Sequence, residues 1–92
     1  MDPKMNIIMN NFEIKKFNRI CNFKGCKKTP TKEALLFEFD TRTQSRRAIV
    51  SLYLCEDHYN VSMRFLLEEL NKICESGKTV RVEVFDTGCI TY

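Results

Sequence analysis

The stretch "CEDHYNVSMRFLLEELNKICESGK", residues 55–78, joins two patterns that together decide the fold. Its apolar side chains recur at three- and four-residue steps, which predicts an amphipathic helix with one face in the core. Gly77 followed by Lys78 predicts the end of that helix, because glycine tolerates the left-handed cap conformation. The stretch opens with Cys55 and His58, so the helix is expected to carry two metal-ligating side chains where it begins.

A second pair of ligands lies upstream in "CNFKGC", where Cys21 and Cys26 are separated by four residues and Gly25 lets the turn close. Two close pairs with 28 residues between them suit a tetrahedral zinc ion, because each short loop wraps the ion and the long loop brings the pairs together. The sequence therefore predicts one structural zinc ion held by Cys21, Cys26, Cys55 and His58. The alternative is that the three cysteines are buried hydrophobic residues and the histidine is a surface residue.

Alternating residues predict a β-hairpin between the two ligand pairs. The segment "ALLFEFD" (34–40) places Leu35, Phe37 and Phe39 on its inner face, although a short helix over 31–37 is an alternative. The segment "RAIVSLYL" (47–54) is the second strand, and the polar loop "TRTQSR" connects the two.

Two further strands are expected outside the hairpin and helix. The broken alternation from Phe12 to Ile20 predicts a strand that leads into the first cysteine pair. The segment "TVRVEVFD" (79–86) predicts a C-terminal strand, followed by a turn at Thr87 and Gly88 into a short terminal hairpin.

These elements predict a single small α+β domain. Ninety-two residues with 43% hydrophobic content are too few for two independent cores and too apolar for a disordered chain. A zinc-bound core over residues 21–75, with knuckle, hairpin and helix in that order, is typical of a treble-clef zinc finger. The N- and C-terminal strands would be additions to that core within a domain of residues 1–92.

The charge is unevenly distributed along the chain. Residues 15–47 contain ten bases and three acids, a net charge of +7, whereas residues 56–86 carry −3. A basic face is the usual electrostatic footprint of a polyanion partner, and the alternative is a solvated, lysine-rich surface. The residues expected to contact nucleic acid are Lys24, Lys27, Lys28, Arg42, Arg46 and Arg47.

The sequence favours a non-enzymatic, regulatory nucleic-acid-binding module, with DNA rather than RNA as its ligand. Four protein ligands leave zinc no open position, and the single histidine is already one of them, so no catalytic arrangement is visible. The alternative is a small adaptor or inhibitor that binds a protein and uses zinc only structurally. A homodimer through an edge strand at residues 80–84 belongs to that alternative.

The remaining features concern the compartment and the other two cysteines. No apolar run approaches the roughly 20 residues that cross a bilayer, and no signal peptide is visible, so we expect a cytoplasmic protein, or a nuclear one in a eukaryote. Cys74 shares the apolar stripe of the helix, which favours a core position. Cys89 has no assigned role, and a Cys74–Cys89 disulfide is left open.

The two ligand pairs resemble those of THAP domains, a C2CH zinc-binding family with the pattern C-x2-4-C, a long gap and C-x2-H. "CNFKGC" is similar to the first pair, with glycine before the second cysteine, and "LCEDHY" is similar to the second, with Tyr59 after the histidine. The resemblance covers residues 21–59, and this chain has no tryptophan and a shorter gap than the family. THAP domains are zinc-dependent modules that place a short sheet in the major groove of DNA, so the resemblance implies a treble-clef fold and a DNA partner.

Overall fold

The computed structural model describes residues 3–14 and 19–86. These residues form two helices and three strands, which confirms the predicted α+β class. In chain order the elements are α1 (Pro3–Asn11), β1 (Lys32–Asp40), β2 (Ser45–Leu54), α2 (Glu56–Lys72) and β3 (Lys78–Asp86).

The three strands form an antiparallel sheet in the order β2-β1-β3. The hairpin of β1 and β2 is confirmed, with a turn over residues 41–44. The predicted C-terminal strand is also confirmed, and it pairs with the other side of β1, where Leu36 lies opposite Val82. The central strand, β1, therefore has a hydrogen-bonded partner along each of its two edges.

One face of the sheet packs against α2 and forms the core. Ala34 and Leu36 of β1 are fully buried there, in one cluster with residues of β2, β3 and α2. The predicted inner face of β1, made of Leu35, Phe37 and Phe39, is therefore wrong. Phe37 is nevertheless buried, because it lies on the opposite face with the guanidinium of Arg46 4.0 Å from its ring centroid.

An asparagine side chain binds the backbone at each outer edge of the sheet. On β2, Tyr53 donates its N–H to Oδ1 of Asn22 at 2.8 Å, and its carbonyl accepts from the N–H of Asn22 at 2.7 Å. On β3, Val80 donates its N–H to Oδ1 of Asn71 at 2.9 Å, and its carbonyl accepts from the amide nitrogen of that side chain at 3.1 Å. Each asparagine thus occupies the outward-facing backbone groups of one strand residue.

Helix α2 ends earlier than the sequence suggests. Its last helical residue is Lys72, so Gly77 is not the helix cap. Gly77 has a positive φ of 86° and lies in the turn that leads into β3. The chain must reverse here because Asn71, near the end of the helix, already binds Val80 at the start of the strand.

The N-terminal segment differs from the prediction. Residues 3–11 form helix α1, which buries Ile8, packs on α2 and is joined to β1 by an ion pair of 3.0 Å between Lys4 and Glu38. In place of the strand predicted over residues 12–20, the described part of that segment has a single bridge between Phe12 and Phe23. Residues 15–18, the predicted turn at 87–88 and Cys89 lie outside the described residues.

Candidate metal centre

The four predicted ligands come together at one end of the sheet. One ligand atom from each of Cys21, Cys26, Cys55 and His58 lies within 4.8 Å of all the others. The three cysteines are buried and the histidine is half-buried. This cluster could hold a metal ion, as the two ligand pairs in the sequence predicted.

The distances within the cluster fit a tetrahedral ion. Metal–sulfur and metal–nitrogen bonds of about 2.3 and 2.05 Å imply tetrahedral edges of about 3.8 Å between sulfurs and about 3.6 Å between sulfur and nitrogen. The sulfurs of Cys26 and Cys55 are 3.9 Å apart. Nδ1 of His58 lies 3.6 Å from the sulfur of Cys21 and 3.3 Å from that of Cys55. These three distances lie within a few tenths of an ångström of the tetrahedral edges, and the other three ligand pairs lie within 4.8 Å.

The first ligand pair lies in a tight turn held by backbone hydrogen bonds. The N–H of Cys26 donates to the carbonyl of Phe23 at 3.0 Å, and the N–H of Cys21 donates to the carbonyl of Lys28 at 2.8 Å. Gly25 has a positive φ of 81°, and a Cβ added there would meet nothing within 4 Å. The glycine is required for its backbone conformation and not for space.

The second ligand pair forms the start of α2. Cys55 is the N-cap residue, with an extended backbone, and its sulfur accepts a hydrogen bond from the N–H of His58 at 3.5 Å. A thiolate at this position also lies near the positive end of the helix dipole. One side chain thus caps the helix and contributes to the metal cluster.

Phe23 supports the cluster, a role that was not expected from the sequence. Its ring stacks on the imidazole of His58, with a centroid distance of 4.1 Å and an interplanar angle of 8°. The edge contact with Phe12, at 5.5 Å and 87°, holds the same ring from another side. The sequence does contain an indication of this role, because Phe23 lies between the two ligand cysteines. A ring in so short a loop must lie close to the metal ligands.

The cysteines differ in their affinity for protons. Burial raises the pKa of the Cys21 thiol to about 11. At Cys26 burial acts in the same direction, but hydrogen bonds from the backbone of Lys28 and from the neighbouring thiols outweigh it, and the pKa lies below its ordinary value. A bound cation would favour the thiolate form of both, because it replaces the protons with a larger positive charge.

Cys74 lies outside the cluster. It is half-buried and packs against the core, as predicted, and its thiol donates to the carbonyl of Leu70 at 3.4 Å.

The six bases predicted to contact nucleic acid lie in two groups. Lys24, Lys27 and Lys28 are exposed on the first ligand turn, and Lys28 pairs with Asp57 at 2.6 Å. This ion pair raises the pKa of Lys28 and lowers that of Asp57. The arginines at 42, 46 and 47 lie at the far end of the hairpin. Residues 48–54 of β2 lie between Arg47 and the end of the strand beside the ligand turn. Seven strand residues span about 23 Å, so the two groups of bases are about that far apart.

The arginines near the hairpin turn have acidic and aromatic neighbours. Arg46 pairs with Glu83 at 2.7 Å as well as stacking on Phe37, and Arg42 lies 3.7 Å from Asp40. Three of the six bases, Lys28, Arg42 and Arg46, therefore have a carboxylate within 4.0 Å.

An apolar groove of about 290 Å³ runs between α1 and α2 beside the metal cluster. Phe23, which stacks on His58, lines the groove together with Phe12 from the end of α1. Its outer wall comes from α2, where Val61 is 64% and Phe65 67% exposed. The side chains of the first ligand turn thus shape both the metal cluster and the groove.

No protein-family model, curated protein or solved structure matches this chain. The resemblance to THAP domains therefore rests on the two ligand pairs. Neither helix in the described part of the chain is long and apolar enough to cross a membrane.

Proposed function

We propose that this protein is a non-enzymatic binding domain whose fold is stabilised by one structural zinc ion. Three thiolates and one imidazole are a ligand set typical of structural zinc sites. Four protein ligands complete a tetrahedron, which leaves no position at which water or substrate could react. The order of ligand turn, hairpin and helix supports a treble-clef relationship for this site. Three reduced cysteines also favour a reducing compartment, the cytoplasm or the nucleus.

Zinc content and chelation test the metal assignment. We expect one zinc ion per chain by elemental analysis, and a clear loss of thermal stability when a strong chelator removes it, because metal binding contributes directly to folding. A chain that contains no zinc, and whose melting temperature is the same with and without chelator, would contradict the assignment.

Of the two partner classes, we propose a protein partner as the better supported. The observation that carries this proposal is the apolar groove with its two exposed side chains on α2, Val61 and Phe65. Exposed apolar side chains beside a concave apolar surface are typical of interaction sites. The separation of the bases into two groups, with three of them beside carboxylates, weakens the electrostatic case for nucleic acid.

A pull-down after nuclease treatment tests the protein-partner proposal. The tagged full-length chain is expected to retain a partner that Phe65→Ser loses. Phe85→Ser is the matched control, because Phe85 is a phenylalanine of β3 that is 46% exposed and does not line the groove. Equal recovery with both variants, or none with the original chain, would contradict the proposal.

Nucleic-acid binding is the second candidate, because Lys24 and Lys27 are exposed and have no ion-pair partner among the described residues. If both contact phosphates, affinity for duplex DNA falls steeply with salt, with a logarithmic slope of about −0.9 for each phosphate contacted. The Lys24→Ala, Lys27→Ala double variant should flatten that slope by about 1.8. Binding that is independent of salt, or undetectable at low salt, would eliminate this candidate.

A further inference from the structure

The outer face of α2 combines a projection with a recess. Phe65 is the most exposed large apolar side chain in the described residues, and Val61 lies one helical turn before it. Both stand on the rim of the groove, whose floor includes Phe12, Phe23 and Leu66. A surface that carries both shapes side by side can be complementary to itself, which is what an isologous contact about a two-fold axis requires.

We propose that the groove receives Phe65 from a second copy of this chain, so that two α2 helices pack antiparallel and each phenyl ring enters the other copy's groove. The inference rests on the proposed function, because it names the occupant of the same groove. A contact through the edge of β3 is less favourable at Val80, whose outward backbone groups are already bound by Asn71.

Charges on α2 favour this pairing. Arg64 and Glu68 are one turn apart, on either side of Phe65 along the helix, and within one chain they form an exposed ion pair of 3.8 Å. Their side chains are 87% and 59% exposed, so both can also reach a second molecule. In an antiparallel pair whose axis passes near Leu66, Arg64 of each copy lies opposite Glu68 of the other. The dimer then has two equivalent ion pairs between Arg64 of one copy and Glu68 of the other. The charges on this face are therefore complementary to those of a second copy, like its shape.

The expected dimer is weak. A 17-residue helix is about 25 Å long, and one helix pair with two inserted rings covers less than the roughly 800 Å² per partner of a standard interface. We therefore expect a dissociation constant for the dimer in the micromolar range or above. Since Phe23 lines the groove and stacks on His58, metal removal should also abolish dimerisation.

Sedimentation velocity of the zinc-loaded full chain, from about 10 μM to about 1 mM, tests the proposal against this range of affinities. Phe65→Ser should be monomeric throughout, whereas Phe85→Ser should dimerise like the original chain. Arg64→Glu and Glu68→Arg should each dimerise at least about tenfold more weakly, because each places like charges opposite one another twice. Circular dichroism and zinc content confirm that each variant is folded.

The decisive sample is an equimolar mixture of Arg64→Glu with Glu68→Arg. The mixed dimer restores both opposite-charge contacts, so it should form more tightly than either variant alone. Each substitution also breaks the Arg64–Glu68 ion pair within its own helix, but mixing the two variants does not restore that pair. Tighter binding in the mixture therefore reports contacts between the two copies. An original chain that stays monomeric at about 1 mM, or a mixture no tighter than its components, overturns the dimer.

The two proposals fail separately. If the original chain is monomeric but Phe65→Ser still loses a pulled-down partner, the dimer is wrong and the protein-binding function stands. If the dimer forms and the pull-down retains no other protein, the dimer stands and binding of a different protein through this groove is wrong.

Discussion

Replacement of Cys55 by serine separates the contribution of the metal from that of the helix cap. Serine is a good N-cap residue, so this variant keeps the cap of α2 while it removes one thiolate from the cluster. Cys74→Ser is the matched control, because a hydroxyl can donate to the carbonyl of Leu70 as the thiol does, and Cys74 is not part of the cluster.

The expected effect follows from the ligand set, three thiolates and one imidazole, whose ligand atoms lie within 4.8 Å of one another. Structural zinc sites bind with apparent free energies of about 10–16 kcal/mol at pH 7, and the lower figure corresponds to a dissociation constant of about 50 nM. Free zinc at about 10 μM then stabilises the folded chain by about 3 kcal/mol. In a domain of 92 residues this raises the melting temperature by about 12–24 °C.

Thermal unfolding followed by circular dichroism, in zinc-buffered solution with a reductant that does not bind metal, measures this shift. We expect the full shift in the original chain and in Cys74→Ser, and only a few degrees in Cys55→Ser. The reasoning is refuted if zinc leaves the original chain unchanged, or if Cys55→Ser responds to zinc as strongly as Cys74→Ser.

Three further substitutions test individual contacts. Gly25→Ala should cost about 1–2 kcal/mol in urea unfolding, since the only penalty is the positive φ, and an unchanged midpoint would contradict this. Phe23→Ala should weaken zinc binding about tenfold in competition with a chelating dye, because the stacked ring holds His58 in place; equal affinity would show that the ring has no such role. A hydrogen bond from the backbone N–H of Arg42 lowers the pKa of Asp40, so its contribution to stability is present above the unfolded pKa and is lost as pH falls through the lower folded value. The difference in urea midpoint between the original chain and Asp40→Asn should therefore be constant above about pH 5 and shrink as pH falls below the ordinary pKa of 3.8, and a difference that does not change with pH would argue against this hydrogen bond.

The ligands could be predicted from sequence because their chemistry is local. Each pair is defined by two residues a few positions apart, and the chain has a single histidine. The turn at Gly25 and the start of α2 at Cys55 follow from backbone preferences within the same short segments. The hairpin and β3 have a period of two along the chain, which does not depend on their partners.

The parts that the sequence did not predict depend on which elements meet. In β1 the alternating set with Leu36 also contains Glu38 and Asp40, so the pattern favoured the face of Phe37. Packing against α2 places Ala34 and Leu36 in the core instead. Gly77 serves a turn instead of a helix cap because Asn71 reaches across to β3, a contact between residues nine positions apart. Phe23 gains its role only when α2 brings His58 over its ring.

Asn22 gives the metal cluster a consequence beyond stability. It follows Cys21 directly in the ligand turn, it is 2% exposed, and it covers the outward backbone groups of Tyr53 on β2. When the metal is lost and the turn opens, that edge strand presents unpaired groups to other chains, the usual starting point for intermolecular sheet growth. Zinc depletion is therefore expected to cause aggregation as well as unfolding. The metal cluster thus protects the exposed edge of β2 from pairing with other chains.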